Sequence, residues 1–427
     1  MSKRAKRGNA SPPYRRSAKR RPHWGLRILL AAAVLLGSAL WIPHLVQQTN
    51  EQRAQTALQP FYDTPAGFEN AAPGRVLRSE PLDVTVPAGG QAVRVLYRSE
   101  REDGTPTVSS GMVFFPAQDS NVANRPVVAW AHGTIGLGND CAPSRSGNPL
   151  ADITWLEQML SRGWVVAATD YAGLGTAGTS RYLIGGDEAR DVLNSVRAAR
   201  QLDPRAGDRF GLFGHSQGGH SALWSANAAA MYAPELELVG TAAGAPAAEL
   251  SQLFAEQYNG AVAWVIGPDV TVAWPEAYPN LDLSAAIGER GLRDAKQIAQ
   301  ECAQQSGEGA LARSTLKEQY FKTNPMSLPS WQQVASEQTP PPLTPYQPLL
   351  LVQSLTDQVV LPNTTALLIQ RSCAAGSTVE TLWLNEITHQ QTAITAGPTV
   401  VDWLGDRFEA KPAGNSCGQP LPIQPAG

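Results

Sequence analysis

The chain has 427 residues, of which 43% are hydrophobic and 17% are charged, so it can bury a large core and is not of the disordered class. Residues 1–27 carry ten Lys and Arg and no acidic residue. Subtracting those ten from the 34 basic residues of the whole chain leaves 24 against 37 acidic residues, a net charge of −13. A body this acidic repels phosphate, which argues against a nucleic-acid partner.

The N-terminal region has the pattern of an export signal. The basic residues 1–27 precede an uncharged apolar segment, residues 28–42, as in a secretory signal or a membrane signal-anchor. The excess of positive charge predicts that residues 1–27 stay in the cytoplasm and that the body is extracellular or periplasmic. Residues 43–60 are predicted to be a linker. Two outcomes stay open: cleavage of the apolar segment, or its retention as a tether to the membrane.

The body of the chain begins with a predicted hairpin and then alternates strands with helices. Strand-like segments 93–97 and 111–115 are separated by Asp103-Gly104, which is typical of a hairpin turn. Apolar strands that alternate with helices indicate a mostly parallel central sheet with helices on both faces. After the hairpin, the predicted elements are strand 127–131, helix 155–161, strand 164–169, helix 186–202, strand 210–213, helix 218–231, strand 239–244, strand 348–355, helix 363–373, strand 379–384 and helix 391–408.

Residues 247–345 interrupt this alternation. This segment is too long for a loop and is predicted to be an insertion that forms a mainly helical cap over the core. Its predicted helices span residues 283–305 and 310–321. The α/β core is then formed by residues 61–246 and 346–427.

The motif G-x-S-x-G, which carries the nucleophile of many hydrolases, occurs twice. Residues 214–218 follow the apolar strand 210–213 and open a helix rich in small residues, as the strained strand–Ser–helix turn requires. Residues 414–418 lie in a Pro- and Gly-rich tail with no strand before them and no helix after them. Ser216 is therefore the predicted nucleophile, and Ser416 is predicted to be a turn residue.

A serine nucleophile needs an imidazole base that a carboxylate orients, in the chain order Ser, Asp or Glu, His. Only His220 and His389 follow the predicted nucleophile. His220 lies on the helix that begins just after Ser216, so its side chain cannot turn back to act as the base of that serine. His389 is therefore the predicted base. Asp357, at the end of a strand, is the predicted acid, with Glu380 and Glu386 as competitors.

A turn after strand 127–131 is predicted to form half of an oxyanion hole. Thr134 and Gln217 are the predicted donors of backbone N–H groups, and Gly133 is a close competitor of Thr134. His132 is predicted to brace this turn. The alternative is an ordinary strand–helix turn.

These motifs resemble those of the α/β-hydrolases and, more closely, of the secretory lipase family. The resemblance implies Ser216, Asp357 and His389 as a catalytic triad, a helical cap, and hydrolysis of acylglycerols and related acyl esters. No metal or cofactor is implied. The resemblance spans about residues 61–408 and rests on segments 129–134 (AWAHGT), 169–175 (TDYAGLG), 214–219 (GHSQGG), 354–360 (SLTDQVV) and 388–389 (TH).

The four cysteines all lie in the predicted exported body, and their even number indicates two disulfides rather than four free thiols. Four cysteines permit three pairings, and the sequence alone does not choose among them. We hypothesise Cys141–Cys302, which would tie the turn after the oxyanion loop to the cap, and Cys373–Cys417, which would pin the C-terminal tail. The resemblance to secretory lipases supports the same pairing.

Together these observations predict an exported serine hydrolase that cleaves acyl esters through an acyl-enzyme intermediate. Two alternatives remain: a peptidase or amidase that uses the same triad, and a catalytically silent binding protein tethered to the membrane. The expected partner is a small acyl ester or lipid. The sequence leaves the acyl-chain length, the alcohol moiety and the oligomeric state open.

Overall fold

The computed structural model describes residues 51–117 and 122–427. The chain divides into two units, Met1–Ala57 and Leu58–Gly427, and the fold below is that of the second. The predicted signal or anchor segment, residues 28–42, lies outside the described residues. Among the residues that the structure describes, no helix is both long and apolar enough to cross a membrane.

Part of the predicted linker, residues 43–60, is helical. In the first unit the described residues, 51–57, are helical, and residues 58–62 at the start of the second unit are helical as well. Glu, Gln, Arg, Ala and Leu dominate this stretch, and all of them are good helix formers. The polar composition of this stretch is therefore compatible with a helix.

A nine-stranded sheet forms the centre of the described part of the chain, in the strand order β1-β2-β3-β5-β4-β6-β7-β8-β9. Strands β1, β2, β3 and β5 pair antiparallel, and all pairs from β5 through β4 to β9 are parallel. The strands are β1 (Val76–Pro81), β2 (Gln91–Glu100), β3 (Pro106–Phe115), β4 (Arg125–Ala131), β5 (Val165–Thr169), β6 (Ala206–His215), β7 (Glu237–Gly244), β8 (Leu349–Ser354) and β9 (Val379–Leu384).

Helices connect the parallel strands and form the insertion between β7 and β8. In chain order the α-helices are α1 (Leu156–Ser161), α2 (Gly185–Leu202), α3 (Gln217–Tyr232), α4 (Leu250–Gln257), α5 (Ala263–Ala277), α6 (Leu283–Ala286), α7 (Glu289–Ala299), α8 (Ala303–Thr315), α9 (Pro329–Glu337), α10 (Pro362–Ala374) and α11 (Thr392–Phe408).

The side chains of β4 show why the parallel strands are apolar throughout. Val127 and Ala129 face one side of the sheet, where they pack with α2, α3 and α10. Val128 and Trp130 face the other side, where they pack with α1 and α11. Because successive residues of a strand point to opposite faces, a strand covered on both faces buries every side chain. The predicted α/β architecture with helices on both faces is confirmed.

The insertion is mainly helical and has an apolar core of its own. Its largest fully buried side chains are Trp264, Trp274, Tyr320 and Trp331. The ring centroids of Trp264 and Tyr320 lie 5.3 Å apart, and those of Trp274 and Trp331 lie 5.7 Å apart. A cluster separate from the sheet allows the insertion to hold its shape above the core.

The predicted helix over residues 283–305 is wrong, because the chain breaks there twice. Gly288 and Cys302 both have extended backbone angles and begin the helices α7 and α8. Cys302, at the second break, is joined by a disulfide to Cys141. The predicted helix over 310–321 accordingly begins earlier, at Ala303, and ends at Thr315.

Candidate active site

Ser216 occupies a strained turn between β6 and α3. Its backbone has φ 57° and ψ −117°, which a residue with a side chain rarely adopts, and such strain is common at functional sites. The turn is held by backbone hydrogen bonds: the N–H of Ser216 donates to the carbonyl of Gly244 at 2.9 Å, and its carbonyl accepts from the N–H of Ala247 at 3.1 Å. The hydroxyl is thereby presented above the carboxyl edge of the sheet.

The first turn of α3 lies directly against the end of β4. A β-carbon at Gly218 would lie 1.9 Å from the carbonyl oxygen of Ala131, so only glycine fits at this position. A β-carbon at Gly133, in the turn after β4, would lie 3.4 Å from Cβ of Ser216. The predicted oxyanion turn and the predicted nucleophile are therefore neighbours.

Three sequence-predicted residues, distant in the chain, form one hydrogen-bonded series. The Nε2 atom of His389 lies 2.9 Å from Oγ of Ser216, and its Nδ1 atom lies 2.7 Å from Oδ2 of Asp357. All three side chains are buried. They follow the carboxyl ends of β6, β8 and β9, and these ends meet at one edge because the strands are parallel.

Four donors from the protein orient the Asp357 carboxyl group. Its Oδ1 accepts from the backbone N–H groups of Val359 and Val360, at 2.8 and 3.1 Å. Its Oδ2 accepts from Nε2 of Gln353 at 3.1 Å and from the ring of His389. Thr365 donates to Oε1 of Gln353 at 2.7 Å and so fixes that amide. The carboxyl group is held in place for contact with the imidazole.

The competing acids have other environments. Glu380 accepts hydrogen bonds from Nε1 of Trp403 at 2.8 Å and from the N–H of Gly414 at 3.0 Å, both remote from the histidine ring. Glu386 lies in a turn with φ 56° and is exposed. Neither is hydrogen-bonded to His389.

The other predicted serine and histidine have structural surroundings. Ser416 is bound along β9: its N–H donates to the carbonyl of Val379 at 2.6 Å, and its Oγ accepts from the N–H of Thr381 at 3.1 Å. His220 is fully buried in α3, with Nε2 at 2.8 Å from the carbonyl of Gln338. Neither side chain reaches the series of three residues.

The predicted oxyanion turn carries backbone N–H groups without an acceptor in the described part of the chain. Among the described residues, no hydrogen-bond acceptor is found for the N–H groups of Gly133, Thr134 or Gln217. The hydroxyl of Thr134 instead pairs with that of Tyr182 at 2.8 Å. His132 braces the turn through Nδ1, which lies 2.7 Å from the carbonyl of Gly133. Unpaired N–H groups beside a nucleophile are what a tetrahedral oxyanion requires.

His215 is a residue of the candidate site that the sequence reasoning missed. Its Nε2 lies 2.9 Å from the carbonyl of His389, and the two rings are 4.7 Å apart. Burial, followed by the effect of the neighbouring His389, lowers the pKa of His215 to about 3. The ring is therefore neutral at neutral pH, and the proton resides on Nε2 because a carbonyl only accepts. The signal in the sequence was its place directly before the nucleophile.

A cavity of about 590 Å³ opens above Ser216 between the core and the insertion. Phe254 and Ile266 of the insertion line it, whereas Trp264 and Trp274 belong to the buried core of the insertion. Its other apolar lining residues include Trp130, Leu183, Leu253, Val262, Val265, Ala310, Val360 and Ile394. The cavity suits an apolar group attached to a reacting centre at Ser216.

Both hypothesised disulfides are present. Cys141 is joined to Cys302, and the same two segments are linked by a hydrogen bond from the N–H of Leu137 to the carbonyl of Ala299 at 2.7 Å. The chain after the oxyanion turn is thus attached to the insertion. The second disulfide, Cys373–Cys417, attaches the C-terminal tail to α10.

Fold and site together define an α/β-hydrolase. The family model described as "Secretory lipase" matches residues 148–416, more than half of the chain, and the chain belongs to this family. Membership and the two disulfides indicate an exported protein.

Individual relatives are similar over most of their length. The chain is 27% identical to a probable inactive lipase of Mycobacterium tuberculosis, covering 88% of each chain. It is 26% identical to a secreted triacylglycerol lipase of Malassezia globosa, covering 84% of this chain and 82% of the relative. The solved structure of Candida antarctica lipase A matches with a TM-score of 0.69 and 20% identity, over 86% of this chain and 89% of that one, and shows the shared fold.

Proposed function

We propose that the protein is an exported serine hydrolase of the lipase and esterase type, which cleaves carboxylic acyl esters through an acyl-enzyme intermediate. The observation that carries the proposal is the hydrogen-bonded series from Ser216 through His389 to Asp357 at the floor of an apolar cavity. A complete series of this kind activates a serine that would otherwise be a weak nucleophile.

In the proposed reaction, Oγ of Ser216 attacks the ester carbonyl carbon and its proton passes to Nε2 of His389. Asp357 holds the ring and stabilises the imidazolium that forms. As the carbonyl re-forms, the bond to the alcohol oxygen breaks, and His389 returns the proton to the leaving alcohol. Water then attacks the acyl-enzyme with His389 again as base, releasing the acid and restoring the serine hydroxyl.

The backbone N–H groups of Thr134 and Gln217 are assigned the role of stabilising the negative charge of each tetrahedral intermediate. Their lack of any acceptor among the described residues supports this role, because donors that are already free need no reorganisation during the reaction. Removal of one such donor typically lowers kcat by about 10² to 10³.

The acyl chain of the substrate is assigned to the cavity beneath the cap. The cavity walls that the insertion contributes are apolar, including Leu253, Phe254, Val265 and Ile266. The description of the Malassezia globosa relative as a triacylglycerol lipase agrees with a lipid ester. Retention at a membrane by residues 28–42 remains a prediction from the sequence.

A second candidate is a silent protein of the same fold, which the description of the Mycobacterium tuberculosis relative as a probable inactive lipase favours. The test is labelling by an alkyl fluorophosphonate, with turnover of nitrophenyl esters measured in parallel. We expect stoichiometric labelling of the wild type and none of Ser216→Ala. Ser416→Ala, which alters the other G-x-S-x-G serine, is the matched control and should behave as wild type.

Three results would contradict the proposal. A wild type that is neither labelled nor active on any ester supports the silent protein. Labelling and turnover that persist in Ser216→Ala would exclude Ser216 as the nucleophile. Cleavage of peptide or anilide substrates in strong preference to esters of the same acyl group would indicate an amidase.

A further inference from the structure

A buried carboxyl group behind the proposed nucleophile is connected to both predicted halves of the oxyanion hole, directly to Gln217 and indirectly to Thr134. Glu188 lies in the first turn of α2 and is 3% exposed. Its Oε1 accepts from Nε2 of Gln217 at 2.7 Å and from the N–H of Leu183 at 3.0 Å. Its Oε2 accepts from Oγ of Ser221 at 2.7 Å and lies 3.1 Å from Nδ1 of His220. One side chain thus joins two segments that approach the nucleophile from different sides.

The first connection runs to Gln217, whose backbone N–H is one of the two assigned oxyanion donors. Glu188 holds the far end of the Gln217 side chain and also binds Ser221, one turn further along α3. Two attachment points on one helix fix both its rotation and its distance from α2. The direction of the Gln217 N–H follows from the position of this first helical turn.

The second connection runs to Thr134 through the turn at residues 182–183. Leu183 has φ 55°, in the left-handed region that a branched residue rarely occupies, and its N–H is held by Glu188. The preceding residue, Tyr182, is buried and pairs through its hydroxyl with Oγ1 of Thr134 at 2.8 Å. Glu188 therefore stabilises an uncommon backbone conformation, and this conformation places the Tyr182 hydroxyl against Thr134 of the predicted oxyanion turn.

We propose that Glu188 is a positioning residue that sets the spacing and direction of the oxyanion donors of Thr134 and Gln217. The inference rests on the proposed function and adds a residue to it. Glu188 is absent from the described residues that line the cavity, so it acts through its hydrogen-bond partners. Oxyanion donors are effective only when they are fixed before the reaction, and a misplacement of about 1 Å can cost about 10² in rate.

The primary test compares Glu188→Ala with Asp187→Ala in the full-length protein. Asp187 is the neighbouring residue on α2 and is equally buried, but it accepts a hydrogen bond from the backbone N–H of Glu102 and pairs with Arg101 and Arg181. Asp187→Ala therefore also removes a buried carboxyl group from the same turn of α2, and it serves as the control for structural damage. We expect Glu188→Ala to lower kcat by about 10² with KM changed less than about threefold, and Asp187→Ala to retain kcat within about threefold while its Tm falls.

A second readout separates positioning from general damage. An alkyl boronic acid forms a tetrahedral adduct with the serine and requires the oxyanion donors, whereas an alkyl alcohol of the same length occupies only the apolar cavity. In Glu188→Ala we expect inhibition by the boronic acid to weaken in parallel with kcat/KM and inhibition by the alcohol to stay unchanged. Equal losses in Glu188→Ala and Asp187→Ala, or wild-type kcat in Glu188→Ala, would overturn the inference.

Two milder variants keep the test decisive if Glu188→Ala does not fold. Gln217→Leu removes the side-chain amide but keeps the backbone N–H, and Tyr182→Phe removes only the hydroxyl that reaches Thr134. Each should lower kcat more than KM, and wild-type kcat in both overturns the inference. Failure of the proposed function is distinguishable, because the wild type itself would then turn over no ester.

Discussion

His215 and His389 are joined by a hydrogen bond between a ring and a backbone: Nε2–H of His215 donates to the carbonyl oxygen of His389 at 2.9 Å. The residue before the nucleophile thus holds the loop that carries the proposed base. This loop follows β9, and His389 also contacts the turn of Ser216 through its Nε2 atom and through its ring, which packs 4.7 Å from the ring of His215. The bond therefore fixes the distance between the two groups that exchange a proton.

Removal of this bond should lower turnover without abolishing it. We expect His215→Leu to reduce kcat by about 5- to 10-fold, since one neutral hydrogen bond contributes about 1 kcal/mol. His215→Gln retains an N–H donor at similar reach and should recover most of the loss. The check is kcat/KM for a nitrophenyl ester in the three proteins, and equal activity of all three would contradict the role.

The lowered pKa of His215 should make the protein less stable in acid. Because the folded pKa is about 3 and the ordinary value is 6.5, the unfolded chain binds more protons between these values. Stability from this group is complete above pH 6.5 and falls as the pH approaches 3, by up to about 4 kcal/mol.

This slope is best measured as a difference between wild type and His215→Gln. Burial raises the pKa of Asp191 to about 6, so that group gives the opposite slope over the acidic part of the range. Urea unfolding at several pH values isolates the His215 contribution by subtraction. A free-energy difference between the two proteins that does not vary from pH 7 to pH 4 would refute the assignment.

Asp357→Asn should be severe but incomplete. The backbone N–H groups of Val359 and Val360 and the proposed oxyanion donors persist, so binding and charge stabilisation survive. The imidazole, however, loses the acceptor that selects its tautomer, and kcat should fall by about 10⁴. Steady-state kinetics at high enzyme concentration checks this, and a loss below tenfold would assign the acid elsewhere, with Glu386 next to be tested.

The cavity and the core of the cap should respond differently to substitution. Phe254→Ala enlarges the cavity and should shift the preference toward longer or bulkier acyl groups in a chain-length series. Trp274→Ala, which empties the buried core of the insertion, should cost about 3 to 5 kcal/mol of stability and leave the order of preference unchanged. Identical acyl preferences in Phe254→Ala and the wild type would mean that the cap does not select the substrate.

Each disulfide should contribute stability in proportion to the logarithm of the loop that it closes. The sequence separations are 44 for Cys373–Cys417 and 161 for Cys141–Cys302. Chain entropy then gives about 4 and about 5 kcal/mol for the two loops. Double Cys→Ser variants and denaturant unfolding check the values, and only the Cys141–Cys302 pair should also affect turnover, because it ties the oxyanion turn to the cap.

The sequence by itself determined the architecture and the identity of the residues proposed for catalysis. Apolar runs mark strands buried on both faces, and the strand–turn–helix context of Ser216 separates it from Ser416. Only His220 and His389 follow Ser216 in the sequence, and exclusion of His220 leaves His389 as the predicted base. These inferences depend on local patterning and on the order of elements, both of which can be read along the chain.

Only the tertiary structure decided how those residues are held. Glu188 gives no pattern of its own in the sequence, and the position of His215 inside the motif does not show which group its ring binds. Their contacts with Gln217, Leu183 and His389 are created only when the chain folds. The helix break at Cys302 lies where the chain is joined to a distant segment by the disulfide to Cys141 and by the hydrogen bond from the N–H of Ala303 to the carbonyl of Ile135. Periodicity reports which face of an element is buried, but hydrogen bonds between distant segments depend on where the folded chain places each donor and acceptor.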